Sequence, residues 1–158
     1  MLIDRSQPED KMLQDRSVLV IDNDKQIVYL IKDILENQGF NVVTAFCGEA
    51  AIEKLREGKY ACAILDYSLP DIKGDELADN FRLEEPNIGI ILLTGFKSSI
   101  DPDKLKVFNY VFEKPVKLEV LIAAVKQITS LRIREHERAS ALQSNHYSHF
   151  RSARARLG

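Results

Sequence analysis

Five short apolar runs punctuate this chain, and each is followed by a stretch with helical spacing. The runs are SVLVI at 17–21, NVVTA at 41–45, YACAIL at 60–65, IGIILL at 88–93 and YVF at 110–112. Near-continuous apolar strands suit burial on both faces, the condition of a parallel sheet covered by helices. Between them, Ile27, Leu30, Ile31, Ile34 and Leu35 mark one face of a helix over 25–38, with Gly39 as its stop. Ile52 and Leu55 point inward from a helix over 49–57 closed by Gly58, and Leu77, Ala78 and Phe81 from one over 75–84. A short helix over 101–107 has Asp101 as N-cap and Pro102 at its first position. Leu118, Leu121, Ile122, Val125, Ile128 and Leu131 mark a longer one. Five strands alternating with five helices predict an α/β, three-layer, doubly wound parallel sheet.

The ends of the chain differ from this body. Residues 1–16 are polar, contain Pro8 and lack periodicity, so they are expected to form a flexible leader before a domain over 17–131. Residues 1–131 carry 22 acidic and 16 basic side chains, whereas 132–158 carry six arginines against two glutamates. The acidic body thus precedes a basic segment, expected to continue the last helix to about Leu142 and then to be disordered. No apolar run is long enough for a membrane span or a signal peptide's core. Cys47 and Cys62 lack metal-ligand spacing and read as plain thiols in a reducing, cytoplasmic setting.

In open parallel sheets the functional crevice lies beyond the carboxyl ends of the strands, where strand order reverses. Asp22-Asn23-Asp24 follows the first strand, Asp66 and the loop YSLPDIKG follow the third, Thr94-Gly95 the fourth and Lys114-Pro115 the fifth. Carboxylates, a hydroxyl and an amine on one rim are the groups phosphoryl transfer needs. That chemistry asks for positioning and for charge stabilisation on the moving oxygens. Mg²⁺ accepts one or two carboxylates and keeps several waters, and a lysine grips a phosphoryl oxygen as a point charge.

The motifs VLVIDND, AILDYSLPDIKG, IILLTG and FEKP, separated by 44, 28 and 20 residues from Asp22 through Asp66 and Thr94 to Lys114, resemble those of response-regulator receiver domains. The resemblance covers roughly residues 17–130. It implies a flavodoxin-like sheet of order 2-1-3-4-5, Asp66 as phosphoacceptor, Thr94 as the switch hydroxyl and Lys114 as the phosphoryl-binding lysine. It also implies Mg²⁺ held by Asp22, Asn23, Asp66 and the backbone carbonyl of Ser68, and a cis bond before Pro115. The implied partners are a histidine kinase or histidine phosphotransfer protein and a downstream protein, with no membrane insertion and nucleic acid not expected; a dimer is left open. The resemblance further implies a domain that is not an enzyme beyond self-phosphorylation and self-dephosphorylation.

Three positions depart from that pattern. Asn23 stands where the family usually has a second acidic residue, so weaker Mg²⁺ binding is expected unless Asp24 compensates. Val111 replaces the aromatic three residues before the lysine that usually reports phosphorylation. The stretch from Thr94 to Lys114 is short and lacks the usual Gly-Ala, so its helix should be abbreviated. Two alternatives stand beside this reading. One is a degenerate receiver that only binds protein. The other is a haloacid-dehalogenase-like phosphatase with Asp22 as nucleophile and Asp24 as general acid; it leaves Asp66 without a role.

Overall fold

The computed structural model describes the backbone of residues 7–155 and the side chains of residues 7–145. Five strands form one all-parallel sheet: β1 (Ser17–Ile21), β2 (Asn41–Ala45), β3 (Cys62–Asp66), β4 (Gly89–Thr94) and β5 (Tyr110–Glu113). Their order is β2-β1-β3-β4-β5, as the resemblance implies. The helices are α1 (Pro8–Gln14), α2 (Lys25–Asn37), α3 (Gly48–Glu57), α4 (Gly74–Glu84), α5 (Pro102–Leu105) and α6 (Leu118–Ala155), with a 3₁₀ turn at Lys97–Ser99.

Alternation along the strands divides the interior into two layers. Leu19, Ile21, Ala63, Leu65, Ile90 and Leu92 face α3 and α4, where they meet Ala51, Leu55, Leu77 and Phe81. Their neighbours Val18, Val20, Cys62, Ile64, Ile91 and Leu93 face α2 and α6, against Val28, Ile31, Leu35, Leu121 and Val125. Both faces of β1, β3 and β4 are therefore dry, which explains why they contain scarcely a polar side chain. Only the carboxyl ends of these strands are free to carry charge.

Local chemistry sets the element ends. Gly39 takes φ +86, its N–H donates to the Glu36 carbonyl, and the Phe40 N–H reaches the Leu35 carbonyl. This is the Schellman closure that favours glycine after a helix. The Asp101 side chain accepts from the Asp103 N–H and caps α5 as expected, but that helix spans a single turn and buries no residue. The rest of the 101–109 connection is held by Arg82 of α4. Its guanidinium donates to the carbonyls of Val107 (2.8 Å) and Ile88 (3.1 Å) and to Asn109 Oδ1 (3.0 Å). Asn109 Oδ1 also accepts from the Ile90 N–H at 2.8 Å.

The flanks differ from the sequence reading. Within the expected leader, Pro8–Gln14 is helical, because Pro8 suits the first helical position and Asp10 accepts from the Gln7 N–H at 3.3 Å. Asp15, buried at the helix end, lies 3.4 Å from Arg132 Nε and 3.0 Å from His136 Nδ1, so α1 is tied to α6. His136 thereby has a partner that no spacing suggests. The last helix runs to Ala155, well past Leu142; no proline or glycine interrupts it, and alanine, arginine, glutamate and glutamine favour helix. Its 38 residues span about 57 Å. The side chains of residues 146–155 lie outside the described ones, as do residues 1–6 and 156–158 altogether.

Replacing Arg82 by methionine keeps the aliphatic stem and strands several carbonyl acceptors. A loss of about 1–3 kcal/mol in urea unfolding is expected. An unchanged unfolding free energy would contradict the anchoring role.

Candidate functional site

The two-faced core leaves the strand ends as the place for polar groups, and three of them converge. Asp22 follows β1 directly and is buried; its Oδ1 accepts from the Asp24 N–H at 2.9 Å. Asp66 is the last residue of β3 and is 8% exposed. Lys114 follows β5, and its ammonium stands between the two, 2.8 Å from Asp22 Oδ2 and 3.3 Å from Asp66 Oδ1. The Lys114–Pro115 peptide bond is cis.

Thr94 joins the rim through register. Asp66 pairs with Leu93 across β3 and β4, so Thr94 stands one residue beyond Asp66's neighbour. Its carbonyl accepts the Lys114 N–H at 2.8 Å, and its Oγ accepts from the Phe96 N–H at 3.3 Å. The threonine is buried, while a side chain at Gly95 would meet open space. Asn23 is exposed on the loop beside Asp22, and Ser68 lies exposed on the loop after Asp66.

Electrostatics follow from this crowding. Burial pushes the Asp66 carboxyl above its ordinary range; the Lys114 charge offsets part of that, and the Asp22 carboxylate adds to it. Burial also works against the Lys114 charge, but the hydrogen bond to Asp22 and the two carboxylates outweigh it and hold the ammonium above its usual range. The lysine is therefore cationic across the physiological range, and the acidic pair has a built-in counter-charge.

Two carboxylates on one rim, with the exposed residues Asn23 and Ser68 on the loops beside them, are oxygen donors of the kind that could hold Mg²⁺. Asp24 caps the N-terminus of α2, its Oδ1 accepting from Gln26 N (3.0 Å) and Ile27 N (3.4 Å).

The loop after Asp66 is positioned by contacts that sequence spacing does not reveal. Asp71 reaches across to α3 and accepts from the Gly48 and Glu49 N–H groups, both at 2.8 Å. Those bonds hold its carboxyl below the ordinary range. Gly74 lets the chain fold back: a Cβ there would sit 2.8 Å from the Tyr67 Cα and 3.1 Å from the Asp66 carbonyl. Behind it, Asp75 is buried and pairs with Lys104 at 3.2 Å. A lone aspartate in a helix's first turn gives no signal of such a partner 29 residues away.

Comparisons with known proteins agree with this fold. Residues 18–126 match the family described as the response regulator receiver domain. The chain is 33% identical to the transcriptional regulatory protein SrrA of Staphylococcus aureus, over 58% of this chain and 42% of that protein. It thus spans about two fifths of the length of that curated relative. Among solved structures, response regulator protein TrrA from Thermotoga maritima, in complex with Mg²⁺ and BeF, superposes with a TM-score of 0.64 at 30% identity, covering 72% of this chain and 98% of that one. A CheY-like receiver domain protein from Methanospirillum hungatei gives 0.70 at 24% identity, covering 76% and 98%, a likeness of fold.

Because the folded-state pKa of Asp66 is raised, its ionisation at neutral pH opposes folding. Asp66→Asn should therefore unfold at a higher urea concentration than the native chain at neutral pH. The gain should shrink as pH falls through the folded-state pKa towards the ordinary value of about 3.9. An asparagine variant less stable at neutral pH would contradict this.

Proposed function

The chain belongs to the response regulator receiver family of two-component systems, and from that premise we propose that Asp66 accepts a phosphoryl group from a partner's phosphohistidine. The observation that carries the reading is the Lys114 ammonium held within 3.3 Å of Asp66 and 2.8 Å of Asp22 at the carboxyl edge of the sheet. A nucleophilic carboxylate, a fixed cation and a neighbouring hydroxyl are what an acyl phosphate needs. An Asp66 oxygen–phosphorus bond forms as the phosphorus–nitrogen bond of the donor breaks, and the protonated imidazole leaves neutral. Lys114 and Thr94 take up charge on the phosphoryl oxygens. Asp22, Asp66, the Asn23 side-chain oxygen and the Ser68 carbonyl would hold Mg²⁺, which when bound supplies further charge neutralisation.

Phosphorylation then shifts an existing equilibrium by drawing Thr94 and its loop towards Asp66, and a downstream protein reads the altered face. The donor is a histidine kinase or a histidine phosphotransfer protein, in the cytoplasm. Among the described residues no helix is long and apolar enough to cross a membrane. The phosphatase alternative is disfavoured because the chain matches the receiver family and because that reading leaves Asp66, held 3.3 Å from Lys114, without a role. Asn23 supports a second reading, a receiver whose weakened cation site has left it a protein-binding module.

A small phosphodonor with Mg²⁺, followed by intact mass, separates these. The native chain should gain one alkali-labile phosphoryl group, and Asp66→Asn should gain none. No gain in the native chain would favour the binding module; phosphomonoester turnover dependent on Asp22 would favour the phosphatase.

A further inference from the structure

The cation site proposed above draws on two stretches of chain that are far apart in sequence. Asp22 and Asn23 follow β1, whereas Asp66 ends β3 and Ser68 lies on the loop after it. The turn from β2 into α3, residues 45–48, is bonded to both. On one side the Asp22 N–H donates to the Ala45 carbonyl at 3.3 Å. On the other, the Gly48 and Glu49 N–H groups donate to Asp71 Oδ1 and Oδ2, each at 2.8 Å. Bonds from a helix N-terminus to a carboxylate are charge-assisted and strong.

The turn is a firm anchor. The Phe46 ring meets Tyr29 of α2 edge-on, with centroids 6.0 Å apart, and the Lys25 ammonium lies 5.4 Å from its centre. Phe46 also packs against the α2–α6 layer of the core. The acceptor loop is closed on itself at its base. Ser68 pairs with Lys73 in an antiparallel bridge, and the Gly74 N–H donates to the Tyr67 carbonyl at 2.9 Å. Its tip carries Asp71 and Ile72, and Ile72 approaches α3 so closely that a Cβ at Gly48 would sit 2.1 Å from its Cγ2. Because Ser68 and Lys73 are bridged, displacing the tip displaces Ser68 as well.

Asn23 makes this placement matter. Mg²⁺ demands near-ideal octahedral geometry, so ligands that must first be moved into place weaken its binding. An uncharged Asn23 leaves less attraction to offset that cost, and a preset loop counts for more. We propose that Asp71 is a positioning residue for the cation site: by bridging the acceptor loop to the N-terminus of α3, it presets the Ser68 carbonyl relative to Asp22 and Asp66. The inference rests on Mg²⁺ binding beside Asp66. Gly48 completes the joint by admitting Ile72.

Mg²⁺ titrated into the full chain and followed by calorimetry tests this without any phosphoryl transfer. The native chain should bind the ion, and Asp22→Asn should lose most of that binding, which locates it. Asp71→Ala should raise the Kd about tenfold or more, the usual cost of removing a group that orients a ligand. Asp71→Asn keeps one acceptor and should fall between the two. Gly48→Ala alters no charge but pushes Ile72 and the loop off α3, and it too should raise the Kd. Urea unfolding shows that each variant is folded under the assay conditions. A contact that serves stability alone would lower the urea midpoint and leave the Kd unchanged. If folded Asp71→Ala, Asp71→Asn and Gly48→Ala bind as the native chain does while Asp22→Asn does not, the positioning role is overturned and the cation site stands. If the native chain binds no Mg²⁺, the cation site falls and this role with it.

Discussion

The site depends on one ammonium group held between two buried carboxylates. Asp22 and Asp66 lie at the ends of neighbouring strands, so the sheet forces their charges together in a partly desolvated edge. Such a pair is costly unless an opposite charge is held in reach. Lys114 meets that need from two strands away, extending over the end of β4, with its own backbone tied to Thr94. The order β2-β1-β3-β4-β5 is what makes this reach possible, because it places β4 alone between the acceptor and the lysine.

The strands and the loops at their carboxyl ends are held in different ways. The strands that position Asp22, Asp66 and Thr94 are buried on both faces, so the chemical groups are fixed by the best-packed part of the molecule. The loops are instead fixed by a few polar and close contacts: Asp71 on the α3 terminus, Gly74 beneath Tyr67, Arg82 on the 107–109 turn. This division suits a signalling domain. Loops held by a few polar contacts are easier to shift than a sheet buried on both faces.

Strand positions and rim residues are legible in the sequence because each obeys a local rule. Burial on both faces leaves near-continuous apolar runs, and polar residues at the carboxyl ends of the first, third, fourth and fifth runs mark the rim. The helix over 101–107 is recognisable by Asp101 and Pro102, yet it contracts to one turn because nothing on it is buried. Contacts between distant polar residues are not legible. Nothing in the spacing joins Asp71 to Gly48, Asp75 to Lys104 or Asp15 to His136, since ion pairs and caps across elements leave no period. The flanking helices are hidden for another reason: α1 and the described side chains of α6 beyond Thr129 bury little, so they lack the apolar periodicity by which helices are recognised.

A crystal structure of the chain grown with Mg²⁺ and beryllofluoride, an acyl-phosphate mimic, would show whether the Lys114 ammonium serves a phosphoryl group on Asp66. The beryllofluoride is expected on an Asp66 oxygen, with Lys114 turned from Asp22 onto a fluorine and the cation beside Asp22. An unmodified Asp66 with the Lys114–Asp22 pair intact, at saturating beryllofluoride, would contradict that role.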